Sequence, residues 1–159
     1  MRQLIIVRKD LNMSAGKMAA QVAHASMAFL TTMMQAPFAA NKVHAFNTDQ
    51  GKITRTLIGY TVNLALSKEL YEDWICGIFT KTICEAKNKY QLLKAVKYAE
   101  ELGLKEGKDF FLIKDCCLTE LNPEEVDEKG IGRTLTCIGF SPLPDEIAQQ
   151  ISKKFQLYK

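Results

Sequence analysis

The stretch from Val7 to Ala25 constrains this chain more than any other. A short apolar strand, Gln3-Leu4-Ile5-Ile6-Val7, passes through the charged turn Arg8-Lys9-Asp10 and, beyond Gly16, enters a helix rich in small residues. Ser14 or Asn12 can cap that helix, and Gly16 can ease its entry. Met18, Val22, Ala25, Phe29 and Met33 recur at helical spacing and form an apolar stripe for the core. On another face, Lys17, Gln21 and His24 fall within about 60° of one another at roughly 100° per residue, so their side chains can converge on one ligand. A polar stripe beside a burying stripe, where a strand turns into a helix, is where α/β folds place ligand sites.

The remaining elements extend this pattern. Gly16 to about Met34 is the expected first helix, and Pro37 follows it. Asn47-Thr48-Asp49-Gln50-Gly51 is a turn signal. Leu57 to Leu66 alternates Ile58, Tyr60, Val62 and Leu64 with Thr61 and Asn63, which predicts one arm of a hairpin closed at Gly51. Ser67 can cap a short helix through Trp74, ended by Gly77, and Ile78 to Ala86 is an expected strand. Asn88 can cap the next helix, which stops at Gly103. Phe110 to Ile113 and Thr134 to Phe140 are apolar strands, and Pro144 opens a last helix to about Lys154. The order predicts a three-layer α/β/α sandwich on a mixed, mainly parallel sheet of about four strands. The whole chain, 1–159, is expected to be one domain.

A chain of 159 residues, 47% hydrophobic and 25% charged, is long enough to bury a core and has globular composition. Its opening apolar run is too short for a signal-peptide core, and no run reaches membrane-spanning length, so a cytoplasmic protein without a membrane partner is expected. Five cysteines without a CxxC, and two histidines, argue against a zinc site or a disulfide framework. Charge is uneven. Residues 1–66 carry seven basic and two acidic side chains, and the remainder carries fourteen and sixteen. That places a field favourable to phosphate near the N-terminal half.

The wording of the first segment (Arg8, Asp10, Leu11, Gly16, Lys17, Ala19, Ala20, Gln21, His24, Ala25) resembles the first motif of the archaeal- and eukaryotic-type peptidyl-tRNA hydrolases. A second motif of that family is similar to Asp115, Cys116, Cys117, Leu118 and Thr119, followed by a loop, Thr134 and a strand through Gly139. The resemblance covers the first 34 residues and roughly 67 to the C-terminus. It implies hydrolysis of the ester between peptide and tRNA in translation, a homodimer, and contact with the acceptor end of peptidyl-tRNA. It further implies that Asp115 and Thr119 lie opposite Lys17 and Gln21 across the ends of adjacent strands.

On that resemblance, Lys17, Gln21, Asp115, Thr119 and Thr134 are the expected catalytic residues, and Arg8, Lys9 and His24 the expected substrate contacts. Lys17 supplies charge to an oxyanion or a phosphate. Asp115 fixes Lys17 or activates water, the threonine hydroxyls orient that water, and Gln21 orients the substrate. These residue types require no metal or organic cofactor. Three departures stand out: Cys116-Cys117 replaces an Ala-Gly pair and Leu118 an arginine; residues 35–66 form an insertion with no counterpart in the compact family members; and the loop from Glu120 to Gly132 is longer and carries Glu120, Glu124, Glu125, Asp127 and Glu128. Five carboxylates beside an acceptor stem repel phosphate unless they point away. The alternative on the same fold is a non-catalytic RNA- or protein-binding module. Thiol hydrolysis by Cys116 or Cys117 with His24 is a third reading, which needs a depressed thiol pKa.

Overall fold

The computed structural model describes residues 1–36, 40–50 and 53–159, with side chains described for residues 1–36 and 60–159. The elements in chain order are β1 (Gln3–Arg8), α1 (Ala15–Gln35), β2 (Ala40–Gln50), β3 (Ile53–Val62), a wide-wound π-type helix (Glu69–Ile78), β4 (Lys81–Ala86), α2 (Lys89–Glu101), β5 (Phe110–Asp115), β6 (Glu125–Val126), β7 (Gly132–Phe140), α3 (Asp145–Ser152) and β8 (Gln156–Leu157). They fall into two compact units, one made of Met1–Phe29 with Ser67–Lys159, the other of Leu30–Leu66.

In the larger unit the strands run β5-β7-β1-β4-β8, with β6 paired to β7. The side chains of β1 alternate between two cores, which makes the sandwich. Leu4 and Ile6 pack with Leu92, Ala95 and Ala99 of α2 and Ala148 and Ile151 of α3. Ile5 and Val7 face Met18, Val22 and Ala25 of α1. Period two in the strand and period 3.6 in the helices thus place one helical layer on each face. Phe29 continues the α1 stripe against buried Trp74, ring centroids 6.0 Å apart, and the Trp74 indole donates to the Thr80 carbonyl at 3.0 Å.

The mixed sheet is as expected, but it is mostly antiparallel rather than mainly parallel. Only β1 and β4 pair in parallel, from Gln3 opposite Lys81 to Arg8 opposite Ala86. The reason is topological. Parallel neighbours need a crossover, and the connections that contain a helix do point β1, β4 and β5 the same way. β7 follows β5 through a loop with no helix, returns antiparallel, and inserts between β5 and β1. The carboxyl ends of β1 and β5 and the start of β7 therefore share one edge of the sheet.

Close approach of backbones fixes α1 on this sheet. A Cβ on Gly139 of β7 would stand 2.3 Å from the Ala25 carbonyl oxygen, so only glycine fits there. Gln3, fully buried, ties the same layers: its amide donates to the carbonyls of Ser26 and Phe140 at 2.8 and 3.1 Å and accepts from the Ser26 hydroxyl at 3.0 Å.

In the smaller unit β2 and β3 pair antiparallel, from Ala40 opposite Val62 to Gln50 opposite Ile53, with a register shift between Val43 and Phe46. Residues 47–50, read from the sequence as part of a turn, extend β2, and position 51 lies outside the described residues. Among the described residues no helix is long and apolar enough to cross a membrane.

Candidate active site

The site is built where α1 begins, at the edge shared by β5 and β7. The Ser14 hydroxyl caps α1 by accepting the Lys17 N–H at 3.2 Å, which places Lys17 in the first helical turn. The Lys17 ammonium then reaches Asp115, the last residue of β5, at 2.7 Å, and donates to the Thr119 hydroxyl at 3.1 Å. One turn further along α1, buried Gln21 donates its amide to the same Asp115 Oδ2 at 2.7 Å. The other carboxylate oxygen, Oδ1, accepts the Cys117 N–H at 2.8 Å. Asp115 is thus gripped by three donors.

Those donors decide its protonation. Burial pushes the Asp115 carboxyl up, but the hydrogen bonds from Lys17, Cys117 and Gln21 and the charge of Lys17 together outweigh it and hold the carboxyl below its ordinary value. It is a carboxylate at neutral pH and a weak base. The backbone turn that presents the Cys117 N–H has φ of 54° at Cys117, a left-handed conformation that favours glycine.

Sequence reasoning did not single out Thr136. Its hydroxyl, fully buried, donates to Gln21 Oε1 at 2.7 Å and so fixes which way round the Gln21 amide lies. β7 pairs Leu135 with Lys114 and Cys137 with Ile113, leaving Thr136 as the extra residue of a bulge. The bulge breaks the period-two alternation: Leu135 and Ile138 share the α2 core, while Thr136 and Cys137 turn toward Gln21. The only trace in the sequence was a second threonine two positions past Thr134.

Two corrections concern placement. Asp115 and Lys17 do not sit at the ends of adjacent strands, because β7 separates β5 from β1. Thr134 pairs with Asp115 in register, yet its hydroxyl faces the loop instead, donating to the Asn122 carbonyl at 2.6 Å and accepting the Glu124 N–H at 3.1 Å. The structure gathers Lys17, Gln21, Asp115 and Thr119, and keeps Thr134 outside that cluster.

The other expected contacts lie apart as well. Arg8, 4% exposed, is locked between Asp10 Oδ2 at 2.7 Å, Glu124 at 2.7 Å and the Leu135 carbonyl at 2.9 Å. Burial lowers the Arg8 pKa, but Asp10 and Glu124 outweigh it and raise it overall. Lys9 pairs with Glu85 at 2.6 Å. His24 is exposed on α1 and makes none of the hydrogen bonds that build the cluster. Neither cysteine meets it: Cys116 Sγ accepts from Arg133, and Cys117 Sγ lies 3.4 Å from the Thr134 hydroxyl.

The acidic loop is largely neutralised where it stands. Glu124 bridges Arg8 and Lys89, Glu125 pairs with Lys114 at 2.5 Å, and Asp127 with Arg133 at 2.8 Å. The Arg8 hydrogen bond is the foremost cause of the lowered Glu124 pKa. Glu120 accepts the Ser14 hydroxyl at 2.9 Å, which joins the loop to the cap of α1. Leu118, 85% exposed, stands between Cys117 and Thr119 at the mouth of the cluster.

The chain is 26% identical over 157 residues to the peptidyl-tRNA hydrolase of Thermococcus onnurineus, covering 98% of this chain and 96% of that one. It is 28% identical over 158 residues to the peptidyl-tRNA hydrolase of Methanopyrus kandleri, covering 99% and 98%. The model of the family described as "Peptidyl-tRNA hydrolase PTH2" matches residues 1–158, and the chain belongs to that family.

Proposed function

We propose that this chain hydrolyses the ester linking the peptide to the terminal ribose of peptidyl-tRNA, releasing peptide acid and tRNA. The observation that carries the reading is the Lys17 ammonium, held by Asp115 and Thr119 at the mouth of the sheet edge. An ammonium has three donors, and these two partners leave one for the substrate. Attack of water on the ester carbonyl develops an oxyanion, and a preorganised cation stabilises it without reorganisation. The Thr119 hydroxyl accepts from Lys17, so its own proton remains to orient the attacking water. With its pKa lowered, Asp115 serves to position Lys17 and Gln21 rather than to take the proton of that water. Water supplies the hydroxyl of the peptide acid, and its other proton ends on the departing ribose oxygen.

The partly neutralised loop supports the enzyme over the non-catalytic module, because three of the five carboxylates that would repel an acceptor stem, Glu124, Glu125 and Asp127, are engaged by Arg8, Lys89, Lys114 and Arg133. The test is release of acyl-amino acid from N-acetylated aminoacyl-tRNA by the purified protein. Release well above the buffer rate, abolished in Asp115→Ala, is the expected result. Folded protein with no release returns the chain to the binding-module reading. The acting form is expected to be a cytoplasmic homodimer, and a sedimentation mass near the 17.9 kDa of one chain contradicts the dimer.

A further inference from the structure

Among the residues whose side chains are described, the cations of the N-terminal half are all engaged: Arg2 by Asp145, Arg8 by Asp10 and Glu124, Lys9 by Glu85, Lys17 by Asp115. Unpaired lysines are spread over the larger unit, Lys81, Lys105, Lys108, Lys129 and Lys159 among them, and five more gather on one face. Lys87, Lys94, Lys97, Lys153 and Lys154 are exposed, and none of them has a carboxylate within 4.0 Å among the described residues.

These lysines share one face, formed by the outer side of α2 and the end of α3. A shallow hollow joins Lys87 and Gln91 at the start of α2 to Lys153 and Lys154. A second runs along α2 between Tyr90, Leu93, Lys94, Lys97 and Tyr98. The two meet where Lys154 lies 4.4 Å over the Tyr98 ring, and Lys94 lies 4.8 Å over the ring of Tyr90. Of the two carboxylates lining the hollows, Glu85 is neutralised by Lys9, which leaves Glu101 alone against five lysines.

The face begins at the catalytic edge. The first turn of α2 is bound there through Lys89 and Glu124, and Glu124 also holds Arg8 at the end of β1. From that point α2 runs 13 residues, about 20 Å at 1.5 Å per residue, away from the site. Lysines interleaved with tyrosines along such a length suit a polyphosphate backbone: ammonium groups replace its counterions, and the phenol hydroxyls donate to phosphate oxygens.

We propose that the α2–α3 face is the phosphate-backbone grip for the body of the tRNA, holding the substrate while its acylated end reaches Lys17. The proposal rests on the reading of the chain as a peptidyl-tRNA hydrolase. An anionic membrane surface is the competing occupant. RNA is favoured because the face abuts the catalytic edge and its tyrosines are paired with lysines rather than backed by a broad apolar surface.

The test compares wild type, a triple Lys94→Gln, Lys97→Gln, Lys154→Gln variant, and a control with the same charge loss at Lys68, Lys108 and Lys129. All six side chains are exposed, so folding is not at issue. Binding of deacylated tRNA is measured from 50 to 200 mM salt. Each phosphate that is no longer neutralised lowers the logarithmic salt slope by about 0.9, so wild-type affinity should fall about 40-fold more across that range than the face variant's. The control should track the wild type. Hydrolysis supplies the second arm: the face variant should show a raised KM on N-acetylaminoacyl-tRNA and unchanged turnover of N-acetylaminoacyl-adenosine, which lacks the tRNA body. Equal salt slopes, an equal loss in the control, or lost vesicle binding with tRNA binding intact each overturn the proposal. Wild type inactive on both substrates instead removes the catalytic reading, while the binding arm still judges the face.

Discussion

Replacing Asp115 by asparagine changes one atom and sets two requirements against each other. In the native site every neighbour of the carboxylate is a donor: Lys17 and Gln21 on Oδ2, the Cys117 N–H on Oδ1. Asparagine offers one oxygen and one NH₂, so whichever way it lies, a donor meets a donor. With its oxygen toward Lys17 and Gln21, it loses the Cys117 bond, worth about 1.5–3 kcal/mol for a charged acceptor. The ammonium also loses its countercharge. The side chains are 15% and 10% exposed, so solvent screens part of that loss, and the sum is about 3 kcal/mol. For a chain of this size that lowers Tm by about 6–12 °C.

The loss has a pH signature. The folded pKa of Asp115 is depressed, so its contribution is fully present above the unfolded pKa and is lost as pH falls through the folded value. The asparagine in Asp115→Asn does not titrate. Urea unfolding of both proteins at pH 7 and in steps toward pH 3 should show a gap of about 3 kcal/mol that closes as the wild type protonates. A gap under about 1 kcal/mol at pH 7, or one that stays constant down to pH 3, refutes the claim that Asp115 is a multiply bonded carboxylate.

Three further substitutions probe the site's supports. Thr136→Val leaves Gln21 Oε1 without its donor in a buried place, and should cost about 1–3 kcal/mol in urea unfolding and lower kcat, with Thr136→Ser restoring both. Cys117→Gly relieves the left-handed residue while keeping the N–H that Asp115 accepts; thermal unfolding should show a gain of about 1 kcal/mol, with turnover unchanged. Gly139→Ala forces a methyl against the Ala25 carbonyl and should destabilise by about 1–3 kcal/mol, moving α1, and with it Lys17, off the sheet.

What the sequence disclosed was local. The β1-turn-α1 unit was legible because strand and helix periods are written in consecutive residues. Asn88 and Ser67 cap as expected, accepting the N–H groups of Gln91 and Leu70. The non-local features were not legible. That β7 inserts between β5 and β1 depends on which edge a returning strand finds, and no residue in β7 states it. The bulge at Thr136 is a register event between two strands, so alternation along β7 alone could not reveal which threonine turns inward. Charge counts misled for the same reason: Arg8 and Lys9 face carboxylates 76 or more positions away, at Glu124 and Glu85. Lys17 and Gln21 were legible in helical spacing, Asp115 and Thr119 through a resemblance to a family, and the fold brings these four together; it sets Arg8, Lys9, His24 and Thr134 apart.

The proposed chemistry turns on the Lys17 ammonium stabilising the charge that develops during ester hydrolysis. Single-turnover release of acyl-amino acid from N-acetylaminoacyl-tRNA, by wild type and by Lys17→Met, measures that contribution. The methionine keeps the length of the stem and removes the charge. The expected rate is lower by about 10²-fold or more, with tRNA affinity little changed. A Lys17→Met protein that turns over at the wild-type rate contradicts the assignment.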